Sequence, residues 1–295
     1  MLEEFYAYLC AILYGIVEGI TEWLPISSTG HLILLGEWAP LILPNCRDEL
    51  LLEEWRELFD VVIQLAAVGA VFTAFGKELI PFGKGLSRTD RAASFRRLFL
   101  VLVATLPAAV VGLFADTVLE KLTGKDLDGF LYKPRIVAAA LILYGVLFIV
   151  AELRQKRRSE QRISKEEITA KDAVRIGAFQ VLALVPGTSR SGATMLGGET
   201  LGISREKTAK FSFLMAIPVM AGAAVLKIFG FLSFLHRSGT PFPWQSLPLL
   251  FAASAASFFV SLISMRMLLD FVKKHGLTGF GIYRIALGLI ILILR

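Results

Sequence analysis

Six long runs of apolar residues constrain the fold of this chain more than any other feature. The clearest run, Leu98–Ala115, contains no charged residue. A helix that crosses a bilayer needs about 20 mostly apolar residues, so runs of this kind are typical of membrane helices. The six predicted spans are Asp60–Phe75, Leu98–Ala115, Ile136–Ala151, Phe211–Leu232, Leu247–Met265 and Gly279–Leu294.

Composition supports an all-α polytopic membrane protein over a soluble one. Of the 295 residues, 55% are hydrophobic and 19% are charged, whereas soluble domains average about 45–50% and about 25%. The net charge of +6 lies in the connections between apolar runs and forms no basic face interleaved with aromatic residues, so no nucleic-acid partner is expected. The cysteines, Cys10 and Cys46, have neither metal-ligand nor redox spacing.

A dense polar stretch, Glu18–Leu32 (EGITEWLPISSTGHL), interrupts the first apolar region. The apolar segment before it, Tyr6–Val17, is short for a bilayer-spanning helix. Irregular backbone at membrane depth is tolerated only when it is buried in protein or lines a wet cavity. We therefore predict a helical hairpin that enters the membrane, turns near Pro25 and returns.

A second polar stretch, Pro186–Thr194 (PGTSRSGAT), follows the short apolar segment Val174–Val185 and predicts a second hairpin. The loops Gly76–Arg97 and Glu152–Arg175 carry six and eight basic residues, which places them in the cytoplasm by the positive-inside rule. Both chain ends then lie outside, and the hairpins enter from opposite sides and meet near the middle.

The two halves of the chain resemble each other around these stretches. Pro25–Gly30 (PISSTG) matches Pro186–Gly192 (PGTSRSG) with one insertion. We predict one membrane domain, residues 1–295, built as an inverted-topology repeat of residues 1–155 and 165–295 joined by a basic cytoplasmic linker, with a site at the repeat interface. The alternative is chance similarity between two breaks rich in serine and glycine.

Glu18 and Glu22 are four residues apart and share one face of a helix. Two carboxylates at this spacing repel each other unless one is protonated or both hold a hard divalent cation through oxygen. The alternative is a solvated helix end with ordinary acidic residues.

The hydroxyl-rich turn after Pro25 is a candidate phosphate cradle. Ser27, Ser28 and Thr29, followed by Gly30, either cap the returning helix or present hydroxyl and backbone N–H groups to an anion. His31 alone reads as a buried core histidine, but beside a serine and two glutamates it favours acid–base or nucleophilic chemistry.

Arg190 is the most costly residue of the second stretch, since a guanidinium at a membrane helix centre costs roughly 2.5–3.5 kcal/mol on insertion scales. Its planar fork suits phosphate oxygens, although a structural salt bridge to Glu18 or Glu22 would also explain it. The surrounding donors and glycines are Gly187, Thr188, Ser189, Ser191, Gly192 and Thr194. The sequence has no GxxxxGK[ST], HExxH, GxGxxG or CxxC…CxxC motif.

The stretches EGITEWLPISSTGHL and PGTSRSGATM resemble the signature segments of the bacterial undecaprenyl-diphosphate phosphatases, the bacitracin-resistance phosphatases. The resemblance extends over nearly the whole chain, including VVIQL in the first span. It implies an enzyme of the bacterial inner membrane that hydrolyses a polyprenyl diphosphate to the monophosphate carrier lipid and inorganic phosphate. It also implies a divalent cation, Mg²⁺ or Ca²⁺.

By this resemblance the catalytic residues are Glu22, Ser28, His31 and Arg190, and Ser27, Thr29 and Ser189 are supporting polar positions. We expect a metal at Glu18 and Glu22. We expect Ser28 activated by His31 as the nucleophile, with His31 or an activated water as alternatives. The expected substrate-binding positions are Ser27, Thr29, Gly30, Thr188, Ser189, Ser191 and Gly192.

The competing interpretation is a carrier or flippase for polyprenyl phosphate or another anion, because an inverted repeat with a cation-rich site is also a transporter pattern. The bilayer and a polyprenyl lipid are expected partners in both cases, and the pocket is expected to face the periplasm. A second copy of the chain is a further possible partner, in a homodimer, since small residues such as those in Ala252–Ser257 pack well between helices.

Overall fold

The computed structural model describes residues 2–41, 48–80, 87–124, 130–158, 165 and 167–294. Within these ranges the regular structure is helical, apart from one isolated bridge between Lys165 and Ile203. Cys46 and parts of the predicted basic loops lie outside the described residues, whereas Cys10 is buried in the first helix.

The helices follow the same order in both halves of the chain. In each half a helix ends in a break, a helix of 11 residues follows, and three further helices complete the set. The described helices are α1 (Leu2–Thr21), α2 (Ser28–Trp38), α3 (Glu49–Phe75), α4 (Arg88–Thr123), α5 (Pro134–Arg158), α6 (Ala170–Val181), α7 (Arg190–Thr200), α8 (Arg205–Ser238), α9 (Leu247–Lys274) and α10 (Thr278–Leu294).

Six helices are long and apolar enough to cross a membrane. Their spans are Glu3–Thr21, Glu49–Glu78, Arg88–Thr123, Pro134–Arg154, Arg205–Ser238 and Trp244–Lys274. Large apolar side chains remain exposed on the outer faces of these helices, including Phe114, Phe229 and Phe251. Such surfaces suit lipid, and the prediction of an all-α, multi-pass membrane protein is confirmed.

The set of spans differs from the predicted one at both ends of the chain. The apolar segment Tyr6–Val17 is part of α1, which has 20 residues because the helix continues through Glu18. Glutamate is a good helix former, so its charge does not end the helix. The predicted span Gly279–Leu294 lies in α10, which has 17 residues and is therefore only about 26 Å long.

Capping residues, rather than the edges of the apolar runs, set the ends of several helices. Asp48 accepts hydrogen bonds from the N–H groups of Leu50 and Leu51 and starts α3. The helix therefore begins well before the predicted span Asp60–Phe75. Similarly, Ser87 begins α4 with a capping box, so that helix starts ten residues or so before its apolar run.

Small residues let the helices approach closely. A Cβ atom on Gly15 of α1 would overlap the carbonyl of Ala253 in α9, and one on Gly177 of α6 would overlap the carbonyl of Ala104 in α4. Ser257 of α9 donates a hydrogen bond to the carbonyl of Ile63 in α3. The small-residue stretch Ala252–Ser257, predicted as a possible dimer face, thus contributes contacts within the chain.

We expect a Gly15→Ala substitution to destabilise the protein by about 1–3 kcal/mol, because the added methyl group forces α1 away from α9. Gly222→Ala is the matched control, since a Cβ there meets nothing within 4 Å and alanine favours a helix interior by up to about 1 kcal/mol. Unfolding curves in detergent measure both. Equal loss of stability in the two variants would contradict the close packing of α1 on α9.

Candidate active site

Each break ends in a serine with unusual backbone geometry. Ser27 precedes α2 with φ 72°, and Ser189 precedes α7 with φ 70°. Residues other than glycine rarely adopt positive φ, and each such residue costs on the order of 1–3 kcal/mol, so strain of this kind gathers at functional sites. Capping by the hydroxyl occurs only at Ser189, which accepts from the Gly192 N–H at 3.1 Å; Ser27 makes no side-chain capping bond among the described contacts.

A buried ion pair joins the two breaks. Arg190 Nη2 donates to Glu22 Oε1 at 3.2 Å, and the side chains are 9% and 7% exposed. Arg190 Nη1 also donates to the Ser212 carbonyl of α8 at 2.7 Å, while the guanidinium lies 5.8 Å from the Trp23 ring centre. The two polar stretches therefore meet, and the salt bridge to Glu22 anticipated as an alternative for Arg190 is formed.

The Ser28 hydroxyl is bound to Glu22 rather than to His31. Ser28 Oγ donates to Glu22 Oε2 at 2.9 Å, so one carboxylate accepts from Ser28 and Arg190 together. Hydrogen bonds to an ionised acceptor are about twice as strong as those between neutral groups, which favours this partner. Within the described contacts, the expected pairing of Ser28 with His31 is not made.

His31 is held between the first break and the last helix. Its Nδ1 lies 2.7 Å from the Ser27 carbonyl oxygen, and its Nε2 lies 2.8 Å from the Tyr283 hydroxyl. A carbonyl oxygen only accepts, so Nδ1 carries the proton and Nε2 of the neutral ring accepts from Tyr283. The rings of His31 and Tyr283 are stacked at 5.6 Å, and Tyr283 is 45% exposed at the edge of the cluster.

Arg284 is a second cation that the sequence analysis did not assign to the site. It is 0% exposed and donates to the carbonyls of Pro25 at 3.2 Å and of Gly187 and Thr188 at 2.8 Å each. Its guanidinium also lies 5.2 Å from the centre of the Phe148 ring. The available signal was a single charge early in an otherwise apolar run, a pattern that marks functional residues in membrane helices.

Glu18 lies one helical turn before Glu22 and is 0% exposed. Neither of its carboxylate oxygens has a hydrogen-bond partner among the described residues. A buried carboxylate without a partner is costly unless a proton or a cation accompanies it. No cluster of three or more His, Cys, Asp or Glu side chains suited to a metal occurs in the part of the chain that the structure describes.

Some of the other predicted polar residues form hydrogen bonds between the two breaks or to α8, and others are packed against neighbouring helices. Ser191 Oγ donates to the Leu24 carbonyl at 3.1 Å, and Thr194 Oγ1 donates to Ser212 Oγ at 2.7 Å. These bonds tie the second break to the first and to α8. Thr29 is half-buried in the first turn of α2.

Three of the predicted substrate-binding positions are tightly packed in the structure. Thr188 is 0% exposed. A Cβ on Gly30 would lie 2.9 Å from a methyl group of Leu141, and one on Gly192 would lie 2.8 Å from the Phe148 ring. These glycines allow α2 and α7 to approach α5.

Comparison with known proteins identifies the family of this chain. The family model described as bacitracin resistance protein BacA matches residues 11–290. The chain belongs to the BacA family. Every candidate site residue of the sequence analysis, from Glu18 to Thr194, lies inside the matched range.

Relatives that carry the name undecaprenyl-diphosphatase cover nearly the full chain. The protein of Enterococcus faecalis strain V583 is 43% identical over 96% of this chain and 95% of its own length. That of Acetivibrio thermocellus is 43% identical, with 96% of each chain covered. That of Lactococcus lactis subsp. lactis is 42% identical over 97% of this chain and 96% of the relative.

We expect Arg190→Gln to destabilise the BacA-family protein by about 3–5 kcal/mol, because it leaves the Glu22 charge buried without its cation. Adding Glu22→Gln to that variant should restore part of the loss, since the double variant no longer buries a lone charge. Denaturation of the two single variants and the double variant gives the coupling energy. Additive losses would show that the two side chains do not interact as described.

Proposed function

We propose that this chain hydrolyses undecaprenyl diphosphate to undecaprenyl phosphate and inorganic phosphate. It thereby recycles the carrier lipid for cell-wall synthesis and confers resistance to bacitracin. The observation that carries the proposal is the Glu22 carboxylate, which accepts hydrogen bonds from Ser28 at 2.9 Å and from Arg190 at 3.2 Å. A hydroxyl, a carboxylate and a guanidinium thus meet in one buried cluster.

Ser28 is the nucleophile in this proposal and Glu22 is its base. The Ser28 oxygen attacks the terminal phosphorus, the bond to the bridging oxygen breaks, and undecaprenyl phosphate leaves. The Ser28 proton passes to Glu22 along the hydrogen bond already present. Water then hydrolyses the phosphoserine and releases inorganic phosphate.

Arg190 binds the phosphoryl oxygens, because transfer of a phosphoryl group requires positive charge on those oxygens and an in-line nucleophile. In the structure its fork is divided between Glu22 and the Ser212 carbonyl. When the diphosphate arrives, its oxygens replace Glu22 as the partner of Nη2. This exchange frees the carboxylate to take the Ser28 proton.

His31 donates a proton to the departing undecaprenyl phosphate and accepts one from the water that hydrolyses the phosphoserine. The Ser27 carbonyl holds the proton on Nδ1, so Nε2 is the nitrogen that accepts and returns a proton, once water or phosphate displaces the Tyr283 hydroxyl from its lone pair. His31 and Tyr283 form the accessible edge of the cluster, and the diphosphate approaches from that edge.

A divalent cation fits at Glu18 and Glu22. The two unpartnered oxygens of Glu18 are suitable ligands for Mg²⁺ or Ca²⁺, and Mg²⁺ is commonly held by one or two carboxylates together with substrate phosphates. When bound, the ion neutralises negative charge on the diphosphate. The residues Glu18 and Glu22 would hold it.

The two breaks are proposed to be re-entrant hairpins of an inverted-topology repeat in the bacterial inner membrane. The pairs Gly15/Gly177, Ser27/Ser189 and Gly30/Gly192 are separated by the same interval along the chain. The first pair packs against an alanine carbonyl in both halves, and the second has positive φ in both. The basic loops then place the opening of the first hairpin on the periplasmic side.

Release of phosphate distinguishes this enzyme from a carrier. Purified protein in detergent with undecaprenyl diphosphate and Mg²⁺ should liberate inorganic phosphate, and a chelator should abolish the release until Mg²⁺ or Ca²⁺ is restored. A pure carrier or flippase of polyprenyl phosphate would liberate none. Release that persists in excess chelator would contradict the role of Glu18 and Glu22.

Ser28→Ala and His31→Ala should fold and lose phosphate release by several orders of magnitude, about 10³-fold or more, as for removal of a catalytic nucleophile or base. Thr29→Ala, in the same turn of α2, is the comparison variant with a far smaller loss. Thermal unfolding confirms that each variant is folded, and trapping of phosphoserine identifies the nucleophile. Turnover near the wild-type rate in Ser28→Ala would rule out its role.

A further inference from the structure

The last helix, α10, contributes two adjacent side chains to the two breaks. Tyr283 and Arg284 come from a helix whose sequence otherwise reads as an ordinary membrane span. Arg284 contacts both breaks, and Tyr283 contacts the histidine that follows the first break. Neither side chain was assigned a role by the motifs of the sequence.

Arg284 joins the backbones of the two breaks. One guanidinium nitrogen donates to the Pro25 carbonyl at 3.2 Å, and the other donates to the carbonyls of Gly187 and Thr188 at 2.8 Å each. Pro25 lies two residues before Ser27, and Thr188 directly precedes Ser189. The positions at which the backbone adopts positive φ are thus fixed against each other through one side chain.

The charge of Arg284 is not matched by an acidic side chain. All its hydrogen-bond partners among the described residues are carbonyl oxygens, and its nearest rings are Phe148 and Tyr144. Arg190, by contrast, is paired with Glu22. An uncompensated buried cation raises the electrostatic potential of its surroundings strongly, because the local dielectric is low, and this favours an anionic substrate in the cluster.

Tyr283 sets the direction in which Nε2 of His31 points. Since Nδ1 is bound to the Ser27 carbonyl at 2.7 Å, the Tyr283 hydroxyl at 2.8 Å from Nε2 fixes the second nitrogen. The stacked rings, 9° from parallel, restrict rotation of the imidazole about its own axis. A hydrogen-bonded partner of this kind sets tautomer and orientation.

We propose that Tyr283 and Arg284 are positioning residues for the phosphatase reaction: Arg284 holds the two breaks in register, and Tyr283 aims Nε2 of His31. This inference rests on the proposed function, whose residues it orients. Arg284 acts through backbone carbonyls, and Tyr283 acts through His31.

Tyr283→Phe is the sharper test, because it retains the stacked ring and removes only the hydroxyl. We expect kcat for release of phosphate from undecaprenyl diphosphate to fall about tenfold, the equivalent of one hydrogen bond of about 1.4 kcal/mol. KM should stay within about twofold, since the ring surface is unchanged. Tyr8→Phe, at an exposed tyrosine of α1, is the matched control and should alter neither constant.

The possible results separate the inference from the proposed function. An unchanged kcat in Tyr283→Phe overturns the role of Tyr283, and so does a rise in KM at constant kcat, which would mean that the hydroxyl binds substrate. Absence of phosphate release from the wild-type protein would instead refute the proposed function itself.

Arg284→Lys tests the contact between the breaks, because a lysine retains the charge but lacks the fork that reaches both segments. We expect about a 100-fold loss in kcat, as a displacement of about 1 Å in a catalytic group can cause, in a protein that remains folded at the assay temperature. Arg266→Lys, at an exposed position of α9, is the control. Retained kcat, or a loss matched by unfolding of the protein, would overturn the positioning role of Arg284.

Discussion

The ion pair between Glu22 and Arg190 is the interaction on which the rest of this structure depends. It joins side chains separated by 168 positions in the sequence, and both are more than nine-tenths buried. Either charge alone would be strongly unfavourable at this depth, so each requires the other. The packing of Trp23, the hydrogen bond of Ser28 and the contact with Ser212 are all arranged around this pair.

The same pair explains how a cluster whose charged groups are already paired can bind and react with a substrate. In the structure the guanidinium is satisfied by a carboxylate, and the carboxylate is satisfied by a serine hydroxyl and the guanidinium. A guanidinium binds phosphate oxygens in the same bidentate way as carboxylate oxygens, so a diphosphate can take that place without leaving Arg190 unpaired. Binding of the substrate and activation of the serine are then a single exchange of partners.

Much of this arrangement could be predicted from the sequence because it depends on short-range patterns. Apolar runs indicate membrane helices, and the cost of burying Glu22 and Arg190 indicates that each needs a partner. The polar stretches around Pro25 and Pro186 marked the breaks between helices. A salt bridge from Arg190 to Glu18 or Glu22 was one alternative that these costs left, and the structure forms the one to Glu22.

Other features depend on tertiary contacts and could not be predicted in this way. Ser28 was expected to pair with His31, which is near in sequence, but the structure brings the Glu22 carboxylate to its hydroxyl. In the sequence, Arg284 is only a single charge within an apolar run. The neighbouring residues do not indicate that its partners are the backbone carbonyls of Pro25 and Thr188. The length of α1 was underestimated because hydropathy does not measure how far a helix continues through a charged residue.

The bond from Arg284 to the Pro25 carbonyl connects positions 259 residues apart, and this separation has a consequence for biogenesis. Chains are made from the amino terminus, so the first break is synthesised and inserted long before the arginine that secures it exists. Until α10 emerges from the ribosome and enters the bilayer, the nascent protein holds its serine and histidine in an unfastened loop. Phosphatase competence should therefore arise only after α10 has been synthesised and inserted.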